Sequence, residues 1–241
     1  MKTKIIAVAR WCLLRLPGGR HLYNVLVAKR RAREELRNRL LLQTVGWDVL
    51  DKVHETLKEK VAYFADYGTL LGLMRDGQFI AHDNDMDFGV MPGESPARLL
   101  RLLIDAGFKF RNAYEYEGRI CEFAVLYRGL HMDFFFDQKI EGEFYALLFY
   151  KKDGVRYPSK DTLTAFRIRR PAIPYVKEIE IRGHKFNCPE NYEDIFLAAY
   201  GSNWRTPIQD CHAGEQGARK REELAGFAKF KVPAKRVYEL G

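Results

Sequence analysis

The sequence has 241 residues and a formal net charge of +8 at pH 7, and 47% of its residues are hydrophobic. This length and apolar content allow one large domain or two small ones with a buried core, and they exclude an intrinsically disordered chain. The positive charge favours anionic partners such as nucleotides, phosphorylated glycans, anionic lipids or nucleic acids, and it does not choose among them.

The first segment, residues 1–20, is apolar but interrupted by Arg10 and Arg15, and no small-residue cleavage site follows it. It is too short to span a bilayer, and it lacks the features of a signal peptide. Two alternatives stay open: a helix on an anionic membrane surface, or a helix docked on the domain. We therefore expect a cytoplasmic protein. If the segment forms a helix on the membrane surface, the protein would contact the inner face of the membrane peripherally.

A long helical pattern of apolar residues runs from Asn24 to Phe64, and Gly46 is expected to divide it. It contains the basic run "KRRAREELRNR", for which a solvated helix face and a contact with lipid head groups or a substrate polymer are the two interpretations. The expected organisation is a helical N-terminal extension over residues 1–62 and a catalytic domain over residues 63–241.

The rest of the chain alternates between helix and strand patterns. "ESPARLLRLLIDAGF" predicts a helix capped by Ser95, and "EFAVLY" and "HMDFFF" predict a hairpin that turns at Arg128 and Gly129. Three more strands are predicted from "FYALLFY", "AFRIR" and "KEIEIRG", followed by a helix from Pro189 to Gly201. This order indicates an α+β fold.

Four cysteines are scattered along the chain without a CxxC pair, which favours free thiols in a reducing compartment. A zinc site is the alternative, although its ligands are not spaced as in a zinc finger. Those ligands would be His184, Cys188, Cys211 and His212.

Three aspartates alternate in "DNDMDFGV", at Asp83, Asp85 and Asp87. In a strand they share one face, while the apolar residues between them enter the core. Like charges on one face of a sheet repel each other, so this pattern indicates that a cation is held there. Hard carboxylate oxygens select Mg²⁺ or Mn²⁺.

A second strand, "HMDFFF", carries His131 and Asp133 on one face. If it lies beside the first strand, Asp133 supplies a third carboxylate, which could ligate the metal or deprotonate an acceptor hydroxyl. A calcium loop is the alternative, but the sixth position counted from Asp83 is Phe88, where an EF-hand needs glycine.

Gly68 and Thr69 precede the aspartates and are interpreted as a small turn. A glycine lets backbone amides approach a phosphate, and the neighbouring hydroxyl can add a hydrogen bond. A Gly-Thr pair followed by an Asp-x-Asp strand is the arrangement seen in nucleotidyltransferases.

The segment "YGTLLGLMRDGQFIAHDNDMDFGV" resembles the motif of the LicD and fukutin group within the nucleotidyltransferase-fold superfamily. A second segment, "FNCPENYEDIFLAAYGSNWRTP", is similar to the downstream motif of the same group. With "HMDFFF", the similarity spans roughly Tyr63 to Pro207. It implies a nucleotidyltransferase-like mixed β-sheet flanked by helices, with a helical N-terminal extension.

The resemblance implies a role for each residue that matches the motif. Asp85 and Asp87 would be catalytic residues that ligate Mg²⁺ or Mn²⁺. Asp133 would be the third catalytic carboxylate, as a metal ligand or as the general base. The remaining matches would bind substrate, with Arg75 on the donor diphosphate and the others close by, namely Gly68, Thr69, His82 and Asp83.

The resemblance also implies the reaction. Such enzymes transfer phosphoribitol, phosphoglycerol or phosphocholine from a CDP-linked donor to a hydroxyl of a cell-surface glycan and release CMP. His82 stands where many relatives have tryptophan, which favours a CDP-alditol donor over CDP-choline. The implied partners are the CDP-linked donor, a glycan or lipid-linked saccharide and an anionic membrane, with no nucleic acid.

Two other functions remain as alternatives. The same acids could transfer a nucleotidyl group to a small molecule with release of pyrophosphate. The chain could also be a non-catalytic basic module that binds nucleic acid or membrane, which would show as steep salt dependence of binding.

Overall fold

A computed structural model of the chain describes Arg15 and residues 18–207 and 221–241. The predictions made for residues 1–14, and for Cys211 and His212 as zinc ligands, lie outside the described residues.

The described part of the chain contains five helices and eleven strands. The helices are α1 (Gly19–Leu57), α2 (Tyr67–Asp76), α3 (Pro96–Asp105), α4 (Tyr192–Tyr200) and α5 (Ala234–Leu240). The strands are β1 (Tyr63–Ala65), β2 (Met86–Val90), β3 (Lys109–Tyr116), β4 (Arg119–Tyr127), β5 (Leu130–Phe136), β6 (Gln138–Ile140), β7 (Glu143–Tyr150), β8 (Thr162–Arg170), β9 (Val176–Ile181), β10 (His184–Pro189) and β11 (Arg221–Val232).

Nine strands form one mixed sheet in the order β1-β2-β5-β4-β3-β11-β8-β7-β6, and β9 pairs with β10 in a separate hairpin. Within the large sheet, β2 and β5 run parallel and the other neighbours run antiparallel. The predicted α+β fold, with a mixed sheet flanked by helices and an N-terminal helix, is confirmed.

Alternation along β2 and β5 separates the two faces of the sheet. Met86 and Phe88 are fully buried, and the Phe88 ring stacks on that of Phe134 with centroids 5.1 Å apart. The acids between them point to the opposite face, as the pattern predicts. The sheet also curls, so that Tyr114 of β3 stacks on Phe149 of β7 with ring centroids 5.6 Å apart.

Helix α1 is continuous through Gly46, so the expected division there is wrong. A Cβ at Gly46 would lie 2.7 Å from the Phe79 ring, and the glycine therefore serves close packing. From Leu42 to Leu57 the helix packs into the main core. The domain boundary at residue 62 stays a prediction, and it falls after the helix has joined this core.

The local signals differ in accuracy. Ser95 caps α3 by accepting from the Arg98 N–H, and the β4–β5 hairpin turns at Arg128 and Gly129, as predicted. The helix expected from Pro189 begins only at Tyr192, because Pro189 still pairs with β9. No helix among the described residues is both long enough and apolar enough to cross a bilayer.

We expect Leu50→Ala to lower the free energy of unfolding by about 2 to 5 kcal/mol, because it leaves a cavity where α1 meets the core. Leu36→Ala in the exposed half of the same helix should change it by less than about 0.5 kcal/mol. Denaturant unfolding of both variants checks this. Equal effects would show that α1 does not belong to the core.

Candidate active site

Asp87 and Asp133 lie side by side at the centre of the candidate site. They are register partners on the parallel strands β2 and β5, and both are partly exposed. Asp85 directly precedes β2 and is also partly exposed. The parallel pairing therefore brings together the three acids that the sequence predicts to be catalytic.

Gly68 and Thr69 do not form the expected turn, because they lie in the first turn of α2, which Asp66 caps. The buried Thr69 Oγ1 accepts a hydrogen bond of 2.9 Å from the Asp87 N–H, which ties α2 to the start of β2. A Cβ at Gly68 would lie 2.5 Å from Asp83 Oδ2. The partially positive N-terminus of α2 thus lies against the acids.

Burial and neighbouring acids raise the pKa values of several carboxyl groups in the site. Burial, followed by the charges of Asp133 and Asp83, raises the pKa of Asp85 to about 6. Burial and the same neighbours, with Asp85 foremost, raise the pKa of Asp87 well above its usual range. Glu122 of β4, which the sequence did not single out, also has a raised pKa because of burial and Asp133. A positive charge close to these carboxylates would lower their pKa values again.

The donor set fits a hard divalent cation by chemistry and by charge. Carboxylate oxygens are the ligands that Mg²⁺ and Mn²⁺ prefer, and a cation would offset both the burial and the repulsion that raise the pKa values of Asp85 and Asp87. As placed, no three His, Cys, Asp or Glu side chains of the described residues converge on one metal position. Binding by all three aspartates therefore requires rotation of their side chains toward a common ion.

A histidine and an arginine support Asp133. His131 Nε2 lies 2.8 Å from Asp133 Oδ2, and Arg111 contacts the other ring nitrogen of His131. Because arginine only donates, His131 Nδ1 accepts and its Nε2–H donates to Asp133. Asp133 Oδ1 does not take part in this hydrogen bond. The alternation of "HMDFFF" placed His131 on this face, whereas nothing in the sequence pointed to Arg111.

A buried ion cluster, which the sequence also did not predict, lies beneath the site. Both terminal nitrogens of Arg170 bond to Asp66, at 2.6 and 2.8 Å, and the guanidinium lies 3.1 Å from Asp137. Arg170 belongs to β8, whereas Asp66 caps α2. The cluster thus joins the far half of the curled sheet to the helix that contacts the acids. Its members are too distant in sequence to be recognised as a group.

Arg75 and His82 are predicted substrate contacts, of which Arg75 lies apart from the acids and His82 faces solvent. Arg75 lies in the last turn of α2, about 10 Å along the helix from Gly68, and it forms two hydrogen bonds to Asp76. His82 is exposed in the segment before β2. The substrate-binding roles of these two residues stay predictions.

The two zinc candidates within the described residues have other contacts. His184 bonds to Asp51 at 2.8 Å and stacks on Trp47. Cys188 is buried in the main core, and burial raises the pKa of its thiol to about 12.

A protein-family model matches more than half of this chain. The family model described as "LicD/FKTN/FKRP, nucleotidyltransferase domain" matches residues 60–191, which include α2, β2, β5 and the Asp66–Arg170–Asp137 cluster. No curated protein matches the chain.

We expect Arg170→Met to lower the free energy of unfolding by about 3 to 5 kcal/mol, because it leaves two buried carboxylates without their cation. Arg169→Met is the matched control, since the neighbouring Arg169 forms an exposed ion pair with Glu143 and should change stability by less than about 1 kcal/mol. Chemical denaturation measures both. Similar losses in the two variants would contradict a special role of the cluster.

We expect Asp85→Asn to stabilise the metal-free protein at about pH 7 by about 2 to 3 kcal/mol relative to wild type. The pKa of Asp85 is near 4 in the unfolded chain and about 6 in the folded protein. The folded protein therefore loses stability as the pH rises from about 4 to about 6. Asparagine does not titrate, so the variant avoids this loss. The stability difference should therefore vanish near pH 4. Unfolding with chelator across this range measures it, and a difference independent of pH would refute the raised pKa.

Proposed function

The chain belongs to the LicD/FKTN/FKRP family, and from this premise we propose that it is a metal-dependent transferase that moves a phospho-alcohol from a CDP-linked donor to a hydroxyl of a glycan. Membership places the chain in a family of phosphotransferase type. The observation that carries the finer proposal is the pairing of Asp87 with Asp133 on parallel strands beside Asp85. In this proposal the transferred group is phosphoribitol, phosphoglycerol or phosphocholine.

Asp85, Asp87 and Asp133 are the proposed ligands of Mg²⁺ or Mn²⁺. A bound cation of this kind neutralises charge on the donor diphosphate and orients it. The raised pKa values of Asp85 and Asp87 support this assignment, since metal binding stabilises the ionised carboxylates. Thr69 contributes by fixing the backbone of Asp87.

The alternative role of Asp133, with its carboxylate held by His131 instead of turned toward the metal, is that of general base. Its Oδ2 accepts from His131, so Oδ1 can take the proton of the acceptor hydroxyl. The acceptor oxygen then bonds to the phosphorus that carries the alcohol, the bond from that phosphorus to the bridging oxygen breaks, and CMP leaves. His131 and Arg111 act by holding the carboxylate in one orientation.

The N-terminus of α2 and Arg111 are the proposed contacts of the donor diphosphate. A helix N-terminus attracts phosphate. The Asp83 carboxylate lies against Gly68, so a phosphate bound there would take the place of this side chain. Arg111 is exposed and lies next to the acids through His131. Arg75 lies at the other end of α2, which supports Arg111 over Arg75 for this role. His82 and Asp83 remain proposed substrate contacts.

The acceptor in this proposal is a glycan or lipid-linked saccharide. Tyr114 and Phe149 stack on the acid side of the curled sheet and offer an aromatic surface for a sugar ring. Nucleic acid is not a proposed partner.

We expect CMP release from CDP-ribitol, CDP-glycerol or CDP-choline to require Mn²⁺ or Mg²⁺ and to fall at least about a hundredfold in Asp87→Asn and Asp133→Asn. Asp105→Asn, in the exposed end of α3, is the matched control and should keep full activity. A nucleotide-release assay with and without chelator measures this.

If the Asp87→Asn variant folds and keeps full turnover, the proposed site is wrong. Release of pyrophosphate from a nucleoside triphosphate, without CMP release from any of the three donors, would instead assign nucleotidyl transfer to the same acids.

A further inference from the structure

The N-terminal half of α1 exposes a row of leucines to solvent. Leu22, Leu26, Leu36 and Leu40 are 49%, 52%, 59% and 58% exposed, respectively. At about 100° per residue they fall within an arc of about 80° on the helix. This leucine stripe points well away from the side of α1 that enters the core further along the helix.

Cations surround the leucine stripe. Residues 19–40 contain seven Lys or Arg against two Glu, an excess of five positive charges. By the same helical geometry, Lys29 and Arg33 lie within the arc of the stripe, and Arg30 and Arg37 flank it. The surface therefore combines exposed apolar side chains with a strong positive field.

We propose that the leucine stripe and its cations dock on an anionic membrane surface. Leucine side chains gain free energy in the interfacial acyl region, and Lys and Arg extend their charged ends to lipid phosphates. A second copy of the same helix would bring two positively charged surfaces together, which opposes self-association. Nucleic acid would satisfy the cations but would leave the leucines in water, so it does not account for the stripe.

The half of α1 that carries the stripe lies near the candidate site, with Glu34 on another side of the helix from the leucines. Hydrogen bonding and charge from Arg30, with a smaller effect of Arg111 on β3, lower the pKa of Glu34 in this half of α1. Arg111 in turn contacts His131 beside Asp133. Membrane docking would thus hold the site near the lipid surface, which suits an acceptor attached to a lipid. This consequence rests on the proposed function, whereas the membrane contact does not.

Vesicle co-sedimentation of the full chain tests the membrane contact, with phosphatidylcholine vesicles and with vesicles that also contain phosphatidylglycerol. We expect sedimentation with the anionic vesicles only, and release at high salt. Leu26→Gln with Leu36→Gln should weaken partitioning about tenfold or more. Arg33→Gln with Arg37→Gln should weaken it about fivefold for each cation removed.

Leu197→Gln and Arg98→Gln are the matched controls, because both side chains are exposed outside α1, and they should partition as wild type does. Three results would overturn the proposal. These are no preference for anionic vesicles, a dimer in analytical ultracentrifugation that the leucine variants dissociate, and binding to duplex DNA that only the arginine variants lose. The assay needs no activity, so its outcome and that of the CMP-release assay are independent.

Discussion

Two like charges held side by side set the main constraint on this structure. Parallel pairing of β2 and β5 fixes Asp87 next to Asp133, and burial together with the charges of the neighbouring acids raises the pKa values of Asp85 and Asp87. The opposite face of the same strands offsets that cost with fully buried aromatic and aliphatic side chains, including the stacked rings of Phe88 and Phe134. The same strand pair thus contributes buried side chains to the core on one face, and on the other face it holds the acids whose repulsion a cation would relieve.

The acids are held by supports from distant parts of the chain. Asp66 caps α2 and is itself held by Arg170 of β8, so the helix that contacts the acids is fastened to the far half of the curled sheet. Tyr67, which follows Asp66, has a left-handed backbone with φ of 42°, and the Arg170 guanidinium lies 5.4 Å from its ring. A backbone of this kind persists only when its surroundings hold it in place.

Helix α1 has two different roles along its length. Its C-terminal half buries residues such as Val49 and Leu50 in the main core, whereas its N-terminal half exposes leucines and cations. Because one continuous helix joins the two halves, a contact made by the exposed half would orient the whole sheet and its acid cluster. This coupling connects the proposed membrane contact to the proposed transfer reaction.

The sequence by itself determined the alternating acids, the apolar face behind them, the β4–β5 hairpin and the Ser95 cap, because these depend on local periodicity and turn chemistry. It also pointed to Asp133 as a third acid, since "HMDFFF" repeats the alternation of the first strand. It misjudged the division of α1 at Gly46 and the turn at Gly68 and Thr69, where the backbone conformation depends on neighbours in space.

Only the tertiary structure decided that β2 and β5 pair in parallel with Asp87 opposite Asp133, that Arg111 reaches His131, and that Arg170 lies beneath Asp66. These contacts join residues that are between about 20 and 100 positions apart, and no local pattern records which of many arginines will meet which carboxylate. The sequence set the chemistry of the site because side-chain type and periodicity are local properties, whereas its geometry came from long-range strand pairing.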